Sequence, residues 1–305
     1  VQHASVTILG TGAWGSVLAT LAANNGHSVR TWSRRSGSLD EAVQTADVVI
    51  SAISMNGVTD VATQLQAIAL PAHTILVTAT KGLDAATLST PSQIWQRMLP
   101  DHAIVVLSGP NLSKEIAQGL PAATVVASQD IAAAAMVQTV LASDRFRVYT
   151  NTDPLGTELG GTLKNVIAIA AGVCDGLNLG TNAKSALLTR ALAEVIRIGT
   201  RLGAKPETFF GLSGLGDLLA TCSSSLSRNY RVGYGLAQGQ PLEQILSELQ
   251  GTAEGVNTTN VLIDLAKQQT IPVPVSWQVY LLLNGKITPR AAVETLMERD
   301  LKPEA

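Results

Sequence analysis

Short runs rich in β-branched and aliphatic residues punctuate the first half of the chain at 6–9, 29–32, 48–53, 74–78, 104–107 and 124–127, with helix-compatible stretches between them. Strands alternating with helices predict βαβ units, in which each crossover helix covers a face of a parallel sheet. After about Asp153 the β-rich runs stop, and the remainder reads as helices punctuated by glycine and proline. Thr288 before Pro289 marks one helix start by its capping chemistry, and Gly285 after 280–284 marks one helix end. The pattern predicts an α/β chain in two domains, a parallel-sheet domain over 1–153 and an all-helical domain over 154–305.

A length of 305 residues agrees with two domains, and 46% hydrophobic against 14% charged residues supplies large cores. Lys and Arg number 21 against 23 Asp and Glu, with no basic block, so nucleic acid and membrane surfaces are not the expected partners. The longest apolar stretch, 166–174, falls well short of the roughly 20 residues that a membrane-spanning helix needs. Cys174 and Cys222 fit neither a disulfide framework nor a metal-ligand spacing, and the chain opens on a strand-like run instead of a leader. A cytoplasmic, reduced protein with no metal and a small-molecule partner is the expectation.

The strand at 6–9 runs straight into Gly10-Thr11-Gly12-Ala13-Trp14-Gly15 and then a helix-compatible segment. In that setting Gly10 would make the tight turn, Gly12 would let backbone approach a pyrophosphate, and Gly15 would let helix pack on strand. A dinucleotide site is the reading; a methyltransferase with a related glycine turn is its competitor. After the second strand come Arg34 and Arg35, where an NAD site commonly carries an acid. Guanidinium groups suit a 2′-phosphate, so NADP(H) is favoured, with NAD(H) the alternative and a solvated surface turn the bland reading.

Four further places carry candidate chemistry. Lys81 follows the strand at 74–78, at the sheet edge where ligands of open α/β folds bind, although a surface lysine would look the same. Ser108-Gly109-Pro110-Asn111 follows the next strand; it would offer backbone N–H groups and the Asn111 amide, or only a turn capped by Asn111 or Ser113. Lys164 opens the long apolar stretch with Gly160, Gly161, Ala168 and Ala171 on its side, leaving space beside an ammonium that would protonate a carbonyl oxygen. Asp217 sits in a predicted first turn, and Ser227-Arg228-Asn229 starts another helix with a serine cap, a guanidinium and free N–H groups, which together suit a phosphate.

Taken in order, Gly10 to Gly15 with Trp14, Thr80-Lys81-Gly82, Ser108-Gly109-Pro110, Leu163-Lys164-Asn165, Gly216-Asp217-Leu218, Thr221-Cys222, Arg228-Asn229 and Glu254-Gly255 resemble the prokaryotic-type NAD(P)-dependent glycerol-3-phosphate dehydrogenases over nearly the whole chain. The resemblance implies a Rossmann domain followed by a helical domain similar to that of 6-phosphogluconate dehydrogenases. It also implies reduction of dihydroxyacetone phosphate to sn-glycerol 3-phosphate, a supply for glycerophospholipid synthesis, and leaves a homodimer open. Lys164 matches the acid/base lysine; Lys81, Gly109, Asn111, Lys164, Asp217, Ser227, Arg228 and Asn229 match positions around substrate. Gly10, Gly12, Ala13, Trp14, Gly15, Arg34, Arg35, Lys81, Ser113, Arg228 and Glu254 match positions around the cofactor. The chain departs from the family pattern in a shorter segment between Arg35 and Leu39, in Ile53-Ser54-Met55, in Asn111 after Gly-Pro and in Ser227 before Arg-Asn. A hydroxyacid dehydrogenase of the same superfamily and a non-enzymatic NADP(H) sensor are the alternatives; the first leaves Arg228-Asn229 without a phosphate, and the second has no need of Lys164.

Overall fold

The structure, a computed structural model, describes residues 3–68, 70–249 and 251–300. The first half runs β1 (Ser5–Leu9), α1 (Ala13–Asn24), β2 (Ser28–Trp32), α2 (Leu39–Val43), β3 (Val48–Ser51), α3 (Val58–Gln66), β4 (Ile75–Thr78), α4 (Pro91–Met98), β5 (Ile104–Ser108), α5 (Ser113–Ala117), β6 (Ala122–Ala127), α6 (Ile131–Leu141) and β7 (Phe146–Asn151). These strands form one sheet in the order β2-β1-β3-β4-β5-β6-β7. The chain passes from β1 to β2 on one side and to β3 on the other, and such a switch point opens a crevice at the carboxyl ends of the strands.

The inner strands β1, β3, β4 and β5 are buried on both faces, which is why they read as continuous apolar runs. Ile8, Ile50, Val77 and Val105 pack beneath α1 and α6 on one face. Leu9, Val49, Leu76 and Ile104 pack with Trp95 of α4 and Leu65 of α3 on the other.

The sheet departs from expectation twice. β1 to β4 pair in parallel with their neighbours, but β6 runs antiparallel to β5 and parallel to β7, so the sheet is mixed. β7 lies outside the β-rich runs of the sequence. Its alternation of buried Phe146 and Val148 with outward Arg147 and Tyr149 is that of an edge strand, half wet and so without an apolar run.

From Pro154 onward the described chain is helical: α7 (Pro154–Gly176), α8 (Gly180–Arg201), α9 (Asp217–Cys222), α10 (Arg228–Ala237), α11 (Leu242–Glu248), α12 (Glu254–Gln268), α13 (Pro274–Leu283) and α14 (Pro289–Met297). α7 starts at Asp153, whose carboxylate accepts the Gly156 amide at 2.9 Å, with Pro154 in the first turn. It is buried nearly throughout, and the other helices wrap it. Two glycines decide how closely α10 lies on it. A Cβ at Gly172 would stand 2.0 Å from Tyr230 O, and one at Gly233 would stand 1.8 Å from Ile169 O. Backbone therefore meets backbone, and the start of α10 is fixed against the middle of α7.

Candidate active site

At the glycine turn, two glycines are required by the fold and one is not. Gly10 has φ +107°, and a Cβ there would meet Ala52 O at 2.7 Å; at Gly15 it would meet Gly10 O at 2.0 Å. Around Gly12 there is open space, with nothing within 4 Å of an added Cβ. Among the described residues no side chain caps α1 and no acid lies in its first turn, so the amides after Gly12, beginning with Ala13 and Trp14, face outward without a protein acceptor. Such an end favours an anion. The residues therefore fit the pyrophosphate of a dinucleotide. On the adjacent β2, the short segment after Trp32 folds as a tight turn in which the Ser36 amide donates to Ser33 O at 2.9 Å. Arg34 and Arg35 are the two exposed residues at its tip.

The second group assembles from three separate segments. Lys81 leaves the carboxyl end of β4, Lys164 lies mid-way along α7, and Asp217 opens α9 after a π-helical turn, Leu212–Gly216. Gly160 lets that turn press on α7, since a Cβ there would stand 2.8 Å from Ser213 O; a Cβ at Gly161 would stand 3.3 Å from Lys81 Cε. The small residues beside Lys164 thus serve close packing of the neighbouring segments, where the sequence reading expected open space.

Asp217, 1% exposed, takes both lysines on its two oxygens. Lys81 Nζ donates to Oδ2 at 2.5 Å and to Gly109 O at 3.3 Å; Lys164 Nζ donates to Oδ1 and, at 2.6 Å, to Thr221 Oγ1. Burial pushes Lys164 down from 10.5 to about 8; the Asp217 carboxylate works against that fall, and the Lys81 charge adds to it. An ammonium near pH 8 at a sheet edge gives up and retakes a proton within the range of general acid–base catalysis. Two ammoniums against one carboxylate leave a net positive charge for an anion.

The third group gathers at the start of α10. Ser227 caps it, accepting the Tyr230 amide at 3.2 Å, so its hydroxyl oxygen is already engaged. Asn229 Oδ1 accepts the Gly255 amide at 2.9 Å, which ties α10 to the first turn of α12. Arg228 is exposed and lies over Gly251, where a Cβ would stand 2.3 Å from its Nη1. Glu254 is pushed up by burial, against the Met55 amide and the Arg228 charge.

Asn111 turns inward and donates to Thr124 Oγ1 at 3.0 Å, while its Oδ1 and the Ser108 hydroxyl have no partner among the described residues. Ser113 is the first residue of α5, which has no side-chain cap, so the capping alternative for Asn111 and Ser113 fails. Thr221 was not singled out as a site residue from sequence. Its signal was present: it lies four residues after Asp217, one helical turn on the same face, and its Oγ1 stands 3.2 Å from Asp217 Oδ1.

A family model described as NAD-dependent glycerol-3-phosphate dehydrogenase C-terminus matches residues 153–294, and its N-terminus counterpart matches residues 5–41 and 36–134. The chain is 67% identical over 300 residues to a glycerol-3-phosphate dehydrogenase [NAD(P)+] of Synechocystis sp., covering 98% of this chain and 95% of that protein. It is 64% identical over 305 residues to the Nostoc sp. protein of the same name, covering 100% and 99%. The crystal structure of glycerol-3-phosphate dehydrogenase from Coxiella burnetii superposes with a TM-score of 0.93 at 32% identity, covering 97% of this chain and 99% of that one. With its glycine turn, lysine–aspartate cluster and helical second half all in place, the chain belongs to the NAD-dependent glycerol-3-phosphate dehydrogenase family.

Proposed function

We propose that this NAD(P)-dependent oxidoreductase reduces dihydroxyacetone phosphate to sn-glycerol 3-phosphate, reversibly, with Lys164 as the proton donor. The observation that carries the reading is the pair of lysines on Asp217, one of them buried and lowered to about 8. The nicotinamide cofactor supplies the hydride that adds to the carbonyl carbon. Lys164 gives a proton to the carbonyl oxygen, Asp217 and Thr221 orient its ammonium, and Lys81 adds positive charge where oxyanion character develops. In the reverse direction neutral Lys164 is the base. The start of α10, with Arg228 and Asn229, holds the substrate phosphate, and Gly109 and Asn111 line the approach to Lys81.

Gly10, Gly12, Ala13, Trp14 and Gly15 form the pyrophosphate seat, with Ser113 and Glu254 at its borders. Arg34, with Arg35 beside it, would hold a 2′-phosphate, which makes NADP(H) the preferred cofactor. The change from sheet to helices at Asp153 supports a division into a dinucleotide domain over 1–153 and a substrate domain over 154–305. The product suits glycerophospholipid synthesis. Among the described residues no helix is long and apolar enough to cross a membrane. The buried thiols of Cys174 and Cys222 suit the reducing cytoplasm, where we place the enzyme.

The test is oxidation of NADPH by the purified protein with dihydroxyacetone phosphate and with dihydroxyacetone. The phosphorylated ketone should have the higher kcat/KM by roughly 100-fold or more, the scale of a charge-assisted phosphate contact and a helix N-terminus together. Equal values for the two ketones refute the phosphate seat.

A further inference from the structure

Lys81 comes from the sheet and Lys164 from α7, yet both ammoniums end on one carboxylate. The segment between β4 and α4 that carries Lys81 is held by α7 at both ends. At the near end, the Gly82 amide donates to Thr162 Oγ1 at 3.1 Å. Gly82 has φ +152°, and a Cβ there would stand 3.0 Å from Met55 Cβ, so the backbone just after Lys81 is wedged between Met55 and α7. At the far end, Ser92 in the first turn of α4 donates its amide to Glu158 Oε1 at 2.8 Å and its hydroxyl to Glu158 Oε2.

Glu158 and Thr162 are four residues apart on α7 and therefore share one face, and Gly161 beside them lies against the Lys81 stem. Both are buried, Glu158 at 2% exposure and Thr162 at 0%. Burial pushes the Glu158 carboxyl up to about 7, against its hydrogen bonds from Ser92 and Thr90. A carboxyl is a costly way to cap a short helix in a dry interior, since glutamine would offer an acceptor without a charge to desolvate. Its place is explained by what it grips.

We propose that Thr162 and Glu158 are positioning residues for Lys81: one face of α7 clamps the Lys81-bearing segment and so sets Lys81 against Asp217 and Lys164. Neither residue touches the reacting atoms. Their effect on turnover passes through Lys81, and the inference rests on the reading of Lys81 as a substrate-site cation.

The experiment is a double-mutant cycle on the full chain. Thr162→Val and Glu158→Leu are made singly and each in a Lys81→Met background, with kcat and KM for dihydroxyacetone phosphate and NADPH and a melting curve for every variant. Each single variant should lower kcat/KM for the ketone phosphate by about five- to tenfold, the scale of one buried hydrogen bond, and leave the KM for NADPH within about twofold. In the Lys81→Met background those losses should disappear; with Lys81 present, Thr162→Ser and Glu158→Gln, which keep the acceptors, should have wild-type kinetics. Should Thr162→Val or Glu158→Leu fold poorly, Thr162→Ala or Glu158→Ala takes its place in the cycle. Losses that persist undiminished beside Lys81→Met, or folded Thr162→Val and Glu158→Leu variants with wild-type kcat/KM, overturn the proposal. A silent Lys81→Met overturns the substrate-site reading of Lys81 itself, and the proposal with it; that failure is recognisable because the Lys81 variant alone reveals it.

Discussion

The glycine turn and the lysine–aspartate cluster both lie at the carboxyl edge of the sheet, but they are made in opposite ways. The turn is six consecutive residues whose positive character comes from backbone amides at the start of α1. The cluster takes its charge from side chains and joins Lys81 to Asp217 across 136 residues, and Lys164 to Asp217 across 53. The turn is shaped by the strand and helix that flank it. The cluster exists only because α7 is packed against the π-helical turn before α9 and against the segment after β4. A site made of local backbone is robust to remote change, whereas one made of distant side chains inherits every error in helix packing.

That contrast is sharpest at Lys164. Lys164→Ala should leave a folded protein that still binds NADPH, because the turn shares no residue with the cluster. Its kcat should fall by roughly 10² to 10⁴, the usual contribution of general acid catalysis. Melting, NADPH titration and turnover on the same preparation check this, and near wild-type kcat in a folded variant removes Lys164 from the proton-donor role.

Within the turn itself the two kinds of glycine separate. Gly15→Ala puts a methyl 2.0 Å from Gly10 O and should cost about 3 kcal/mol of stability, read as a lowered denaturant midpoint. Gly12→Ala meets open space in the protein, so it should melt like wild type and raise the KM for NADPH by about tenfold. Similar loss of stability in both variants would mean that Gly12, too, serves only the fold. The smallest effect belongs to Arg34, exposed at the tip of the turn after β2. Arg34→Ala should raise the KM for NADPH by about fivefold more than that for NADH, the scale of one exposed charge-assisted contact. An equal change in both would show that the shortened loop keeps Arg34 away from the 2′-phosphate.

The same difference between local and distant construction governs what could be read from the sequence. The glycine turn, the five parallel strands and the Ser227 cap are contiguous patterns, and each appears where its residues predict it. β7 carries only alternation, Phe146 and Val148 buried against outward Arg147 and Tyr149, and no apolar run. β2 at the other edge is as wet, but was legible because it follows the glycine turn and its helix in βαβ order. The reversal of β6 has no local signature, since strand direction depends on the connection and not on strand composition. Lys81, Lys164 and Asp217 were legible as separate candidates, but their meeting on one carboxylate was not, because it depends on Gly160 and Gly161 allowing three segments to close together. The inward turn of Asn111 toward Thr124 and the grip of Glu158 on Ser92 are likewise products of tertiary packing.

The central claim is that a buried Lys164, lowered to about 8, delivers the proton. The protonated lysine is the form required for ketone reduction, so kcat/KM for dihydroxyacetone phosphate should be level below pH 8 and fall above it. Oxidation of glycerol 3-phosphate, which needs neutral lysine, should rise through the same range. An unperturbed lysine would place this limb at pH 10.5. The most direct measurement is therefore kcat/KM for the reduction from pH 6.5 to pH 10, on wild type and Lys164→Ala. The account predicts a falling limb centred near pH 8 in the wild type that is absent from the weak residual rate of the variant; a wild-type profile that stays level to pH 10, or an identical limb in both proteins, would contradict it.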